Sequence, residues 1–261
     1  MFNRVHGSDS FPDGTDRSEL RSGMPLELQE LLHEQQQLKD VKPAAESSEW
    51  PVSIHVPERY EENYAYPLIV WFHDDGKHEG QLESVMQAIS PQNYCGLGIQ
   101  GNQTLVPDCQ FGWSQELLDY GAVPLRDLLS VTIRRLRQAF HIHSERIFLA
   151  GSGTGADVAL QQLCQVPEWY AGAVLLNPTC GTKAMDTLES ATLREKSLLW
   201  AVSESSTNEQ LADNVEAVQL LRMSGVQPEV RVTDAVIDPE SSDVRFLDHW
   251  ILSKTSSEAF I

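Results

Sequence analysis

The chain has 261 residues, 41% of them hydrophobic, with 38 acidic against 19 basic side chains and a formal net charge of −19. That length and apolar content suit one large α/β domain, or at most two small ones. A surface this acidic repels phosphate backbones and anionic lipid, so neither nucleic acid nor a membrane is expected as a partner, and the charge reads as a solvated face.

Residues 1–24 are rich in Gly, Ser, Asp and Arg with few apolar anchors, which predicts a mobile N-terminal arm. The opening lacks the basic segment and apolar run of a secretory signal. Within residues 25–49, the spacing of Leu26, Leu28, Leu31, Leu32 and Leu38 predicts a short amphipathic helix over 25–39, with Pro25 in its first turn. Its apolar face is expected to pack on its own domain rather than on a partner. Residues 40–49 read as a polar linker, and 50–261 as the folded domain. No stretch approaches about 18 consecutive apolar residues, so no membrane span is expected. Cys95, Cys109, Cys164 and Cys180 are scattered without metal-ligand spacing. They predict free thiols in a reducing, cytoplasmic compartment, and no bound metal.

From Trp50 onward, strand and helix signals alternate. Residues 52–56 alternate as a half-buried strand, and 67–72 form the unbroken apolar run of a central parallel strand. Helical spacing at Leu82, Val85, Met86 and Ile89 marks 81–89, and 94–99 is a glycine-rich strand. Residues 100–112 read as a long polar connection. The best helix runs over about 120–140, burying Leu125, Leu128, Leu129, Ile133, Leu136 and Phe140 while Arg126, Arg134, Arg135 and Arg137 face water. A strand at 146–150 leads into a helix at 154–163, followed by strands at 171–176 and 197–202. A helix at 209–223 is closed by Gly225. A last strand over 229–237 and a helix over 243–251 complete the pattern. Such alternation without an internal repeat predicts a doubly wound, mostly parallel sheet flanked by helices. Ligands on such sheets bind beyond the carboxyl ends of the strands. The loops after Phe72, Ile99, Ala150, Leu176, Val202 and Ile237 should therefore converge on any site.

The segment Ile147-Phe148-Leu149-Ala150-Gly151-Ser152-Gly153-Thr154-Gly155-Ala156 runs from a buried strand through a sharp turn into a helix. It has the form of a nucleophile elbow with Gly153 where a Ser, Cys or Asp would stand. Around it lie Val56-Pro57-Glu58-Arg59-Tyr60, then Tyr66-Pro67-Leu68-Ile69-Val70-Trp71-Phe72-His73, and later Val166-Pro167-Glu168-Trp169-Tyr170-Ala171-Gly172-Ala173. In that order and at those separations they resemble the phospholipase/carboxylesterase branch of the α/β-hydrolase superfamily, including feruloyl-esterase-like and dienelactone-hydrolase-like proteins, over about residues 50–251. The resemblance implies an α/β-hydrolase fold. It places the nucleophile at Gly153, the acid at Ser206 and the histidine near Asp238. The oxyanion segment becomes His73-Asp74-Asp75-Gly76. Every triad position thus departs from the family pattern, and two carboxylates lie where negative charge should be stabilised.

Substitutes are scarce. Ser152 is expected to pack beneath the turn, and Thr154 to offer its backbone N–H in the oxyanion role rather than a nucleophile. Glu204 or Asp238 could serve as an acid, but a triad also needs a base. His249 lies in the closing helix, about ten residues beyond the expected loop. His73 is expected to brace the oxyanion loop. With Asp74 and Asp75 it has metal-ligand chemistry, but three adjacent side chains cannot all converge on one ion. Asp108, Cys109 and Trp113 come from the polar connection and can line the cleft. The glycines of 151–155 superficially resemble a dinucleotide fingerprint, but their spacing, mid-domain position and lack of an acidic ribose ligand argue against it. No cofactor is expected. The expectation is therefore an esterase-like homologue without a Ser-His-Asp triad, binding a small ester-like or aromatic ligand or a protein segment. The competing expectation is a carboxylic-ester hydrolase with a displaced nucleophile.

Overall fold

The computed structural model describes residues 50–106, 109–120, 123–180 and 191–256. The expected arm, amphipathic helix and linker of 1–49 lie outside the described residues, as does Asp108. The strands are β1 (Val52–His55), β2 (Tyr66–Phe72), β3 (Cys95–Ile99), β4 (Gln103–Val106), β5 (Gln110–Gly112), β6 (Ile142–Ser152), β7 (Gly172–Leu176), β8 (Ser197–Ser203) and β9 (Glu229–Thr233). The helices are α1 (Gln81–Ile89), α2 (Gln115–Tyr120), α3 (Val123–Ala139), α4 (Thr154–Gln165), α5 (Asn208–Met223) and α6 (Phe246–Ser256).

Seven strands form one sheet in the order β1-β3-β2-β6-β7-β8-β9. β1 is antiparallel to β3, and every other neighbouring pair is parallel. The doubly wound, mostly parallel sheet expected from the alternation is therefore present. The unbroken apolar run of β2 is buried along its whole length because it has a core on each face. Leu68, Val70 and Phe72 enter one apolar cluster with Leu149, Leu129 and Leu160. Ile69 and Trp71 enter the other with Phe148, Met86 and Trp250. Each such side chain taken fully from water contributes about 1.5–3 kcal/mol. The indole of Trp71 avoids an unpaired N–H by donating to Gln81 Oε1 of α1 at 3.0 Å.

Four boundaries differ from the sequence reading. The polar connection contains a two-stranded ribbon, β4–β5, whose strands show no apolar alternation to betray them. The helix expected over 120–140 is α3, and an unexpected short helix, α2, precedes it. β6 starts four residues earlier than expected, and β9 stops at Thr233. There the Thr233 hydroxyl donates to the carbonyl of Ala235 at 2.8 Å and turns the chain. β9 is an edge strand: Arg231 lies 4.0 Å over the Phe246 ring, while Val230 and Val232 stay exposed.

Phe148 lies at the centre of β6, 1% exposed, with its ring 6.1 Å from that of Trp250 in an edge-to-face arrangement. Phe148→Ala is expected to lower stability by about 3–5 kcal/mol, because the α6 face of the sheet cannot collapse into the void. Urea unfolding monitored by circular dichroism measures this.

Candidate functional site

The parallel strands end at a common edge, and β2 and β6 lie side by side there, with Phe72 opposite Gly151. The chain leaves β6 at Ser152, turns at Gly153 and enters α4 at Thr154. Gly153 adopts φ 56°, ψ −127°, a region that side-chain-bearing residues reach only at a cost of about 1–3 kcal/mol. Two residues on, a Cβ at position 155 would lie 2.3 Å from the Phe72 carbonyl oxygen and 2.4 Å from that of His73. Only glycine lets the start of α4 approach the end of β2 so closely.

That approach brings the loop after β2 over the elbow. Asp74 Oδ1 accepts hydrogen bonds from the Thr154 amide at 3.1 Å, the Thr154 hydroxyl at 3.3 Å and the Asp75 amide at 2.8 Å. Two convergent amides on one anionic oxygen are the geometry of an oxyanion hole. Here they hold a carboxylate of the chain itself. A Cβ built on Gly153 would lie 2.0–2.3 Å from the carboxyl atoms of Asp74. The space in which a side chain at 153 would stand is therefore filled by Asp74.

His73 holds this loop from below. It is fully buried, with Nδ1 2.7 Å from the Asp74 carbonyl and Nε2 accepting from the Gly101 amide at 2.8 Å. This pattern requires the neutral tautomer protonated on Nδ1. Burial, outweighing the hydrogen bond to Asp74, lowers its pKa from 6.5 to about 4. The Trp113 indole donates to the His73 carbonyl at 2.8 Å and lies against both the His73 and Phe72 rings. The Asp75 carboxylate accepts from the Trp113 amide at 3.3 Å. Gly76, at φ 81°, donates to the Phe111 carbonyl, so the β4–β5 ribbon buttresses the loop from the side. Lys77 and Gln81 both bond Glu240 at 3.0 Å, joining this loop to the turn after β9.

No family model matches the chain, and no curated protein matches it. Among solved structures it is similar to a carboxylesterase from Bacillus cereus, at 16% identity and TM-score 0.61, covering 80% of this chain and 96% of that one. A carboxylesterase from Mesorhizobium loti gives 15% identity and TM-score 0.61, covering 80% and 98%. A ferulic acid esterase gives 13% and 0.60, covering 78% and 92%. The chain has the α/β-hydrolase fold. At these identities the likeness is one of architecture.

On this α/β-hydrolase frame, the expected site residues fall as follows. Gly153, Thr154, Asp74, Asp75 and His73 come together at the elbow, and Ser152 is buried at the end of β6. Ser206 lies in the turn after β8, where its amide donates to the Ser203 carbonyl at 3.2 Å. Asp238 is exposed after β9, its carboxylate accepting from the Glu240 amide at 3.0 Å. Glu204 is also exposed, and His249 lies on the outer surface of α6. Trp113 braces the His73 loop instead of forming an open wall. Both ring nitrogens of His73 go to backbone atoms, leaving neither for a hydroxyl, thiol or metal. Among the described residues, no three His, Cys, Asp or Glu side chains are grouped to hold a metal ion.

Two residues that the sequence reading passed over shape this region. Asp157, fully buried in α4, accepts from the Thr179 hydroxyl and, at 3.1 Å, from the Cys180 amide. A carboxylate inside the apolar run of an elbow helix was the available signal. Asn177, at φ 48°, donates its side-chain amide to the Ile237 carbonyl at 3.1 Å, tying the loop after β7 to that after β9. Burial and the nearby Asp157 and Asp213 carboxylates push the Cys180 thiol up to about 12. It stays protonated, and a protonated thiol is a poor nucleophile.

Gly153→Ala is expected to expel the Asp74 carboxylate and cost about 1–3 kcal/mol. Asp74→Ala in the same chain should recover part of that loss, so that a double-mutant cycle in urea shows coupling; strictly additive costs would mean that the two positions do not meet. The neutral His73 has a second signature. Below pH 6.5 the unfolded chain takes up a proton that the native imidazole refuses. This component of stability is complete above pH 6.5 and falls, by up to about 1.4 kcal/mol per pH unit, as the pH drops toward 4. The stability difference between wild type and His73→Asn is therefore expected to be smaller at pH 5 than at pH 7.5 in paired urea titrations.

Proposed function

We propose that this chain is a non-hydrolytic relative of the esterases, a binding domain that carries a small molecule or a protein segment at the elbow end of its sheet. The observation that carries this reading is the seating of the Asp74 carboxylate at the elbow, where it takes the amides of Thr154 and Asp75 and fills the space beside Gly153. An acyl-transfer site needs that space for a nucleophile and those amides for the charge that develops on the substrate carbonyl. A carboxylate in their place opposes both. The setting of His73 supports the same reading, since this imidazole beside the elbow is engaged at both nitrogens by backbone.

The chemistry of the occupant follows from the surrounding charge. Asp74 and Asp75 lie in the loop after β2, and Asp238 and Glu240 in the turn joined to it through Lys77. This end of the sheet suits a neutral or cationic group, such as an aromatic or ester-like small molecule or a basic peptide segment. It disfavours a free carboxylate or phosphate. Among the described residues no helix is long and apolar enough to cross a membrane. The four cysteines are free, which supports a reducing, cytoplasmic compartment as part of the proposal.

The test is labelling by a fluorophosphonate probe together with hydrolysis of short acyl esters. The wild-type protein is expected to form no stoichiometric adduct and to hydrolyse at the background rate. Gly153→Ser alone is expected to do no better, since the new hydroxyl would meet Asp74 and find no imidazole to take its proton. A stoichiometric wild-type adduct mapped to a cleft residue would overturn the proposal and identify a displaced nucleophile.

A further inference from the structure

At the opposite end of the sheet, where α3 ends and β6 begins, the surface carries an open cleft of about 550 Å³. Arg134, Arg137, Gln138, His141, His143 and Ser144 line it, with Ala65 and Ile142 as its apolar members, and no carboxylate is among the lining residues. Arg134 and Arg137 are three residues apart on α3, so their side chains leave the same face of the helix one turn apart. β2 pairs with β6 from Ile142 to Gly151 over its seven residues, so about 20 Å of extended strand separates this end from the elbow.

The charge arrangement here runs against the rest of the molecule. With 38 acidic side chains for 19 basic ones, carboxylate partners for an arginine are plentiful. Yet neither Arg134 nor Arg137 forms an ion pair among the described residues, where the bridges join other side chains. The negative end of the α3 dipole favours a cation in the last turn and accounts for Arg137 there. It does not account for a second guanidinium and two imidazoles meeting round one depression. The Glu145 amide donates to His143 Nδ1 at 3.2 Å, which leaves the proton of the neutral ring on Nε2 as a donor. His141 is held with Nδ1 3.1 Å from the Glu62 carbonyl, and its amide donates to the Tyr60 hydroxyl at 2.7 Å. The imidazoles are thus positioned by the backbone, while the guanidinium groups are unspent.

We propose that this cleft is a second binding site, separate from the elbow, for a small ligand carrying a phosphate or diphosphate group. Two planar guanidinium groups on one helix face offer paired donors that match phosphate oxygens. His143, Gln138 and Ser144 add neutral donors, and the volume is that of a small-molecule site. The net charge of −19 repels diffuse polyanions, so a compact anion reaching a local cluster of cations is the ligand the field allows.

Titration of the isotopically labelled full chain with inorganic pyrophosphate, followed by amide NMR at low salt, tests this. Saturable shifts confined to residues around 134–144 are expected. Arg134→Gln/Arg137→Gln should weaken binding at least about tenfold, as loss of two charge-assisted pairs implies. Arg126→Gln/Arg222→Gln, which changes the net charge equally but lies outside the cleft, should weaken it less than about twofold, the residue of long-range charge alone. Circular dichroism confirms that each variant folds, and the single Arg134→Gln substitution serves if the double variant does not. The proposal is overturned if no shift saturates, if both double variants weaken binding equally, or if the shifts map to the elbow.

Discussion

The close approach of α4 to the end of β2 is the constraint on which the elbow end of this molecule depends. Gly155 lets the helix start within van der Waals reach of the Phe72 and His73 carbonyls. The loop after β2 is thereby drawn over the first amides of α4. The first of them, that of Thr154, lacks an intrahelical partner and must bond something. In this chain its partner is Asp74, and the side chain missing from position 153 leaves it room. The buried His73 and the Trp113 indole then fix the loop from beneath. Local geometry, charge and packing thus agree on one arrangement, as a uniquely specified fold requires.

The side chains at the elbow and those lining the cleft at the other end of the sheet are opposite in charge. All the parallel strands point their carboxyl ends at the elbow, where Asp74, Asp75, Asp238 and Glu240 gather. At the amino end of β6 lie Arg134, Arg137, His141 and His143. This polarity belongs to side chains rather than to the sheet, since strands carry little net dipole. At the elbow end, burial pushes the Glu240 carboxyl up, but the hydrogen bonds from Gln81 and Lys77 outweigh it and hold the pKa below the usual range.

Much of the fold is legible in the sequence because its strongest signals are physical requirements. An unbroken apolar run such as 67–72 fits only a strand covered on both faces, and a side-chain-free residue between a buried strand and a helix marks a turn with unusual torsions. The β4–β5 ribbon left no such signal, because its exposed residues are held by pairing with the loop at Gly76 and Lys77, not by burial. The end of β9 was similarly hidden: Ile237 is buried, 4% exposed, yet it lies beyond the strand. At the site, the departure at position 153 was readable from one segment. That Asp74 fills the gap was not, because 79 residues separate the two positions (153 − 74) and only the register of β2 on β6 brings them together.

The interlock of Gly153 with Asp74 also bears on which substitutions this chain can absorb one at a time. A serine at 153 collides with the carboxylate, while a small residue at 74 strips the Thr154 and Asp75 amides of their acceptor. Each change is harmful on the background of the other's present state, and their combination still leaves His73 held by backbone at both nitrogens. In the landscape of single substitutions the elbow therefore sits in its own basin. The ways out run downhill in stability before any places a side chain at 153, and neutral drift around the rest of the fold leaves that barrier standing.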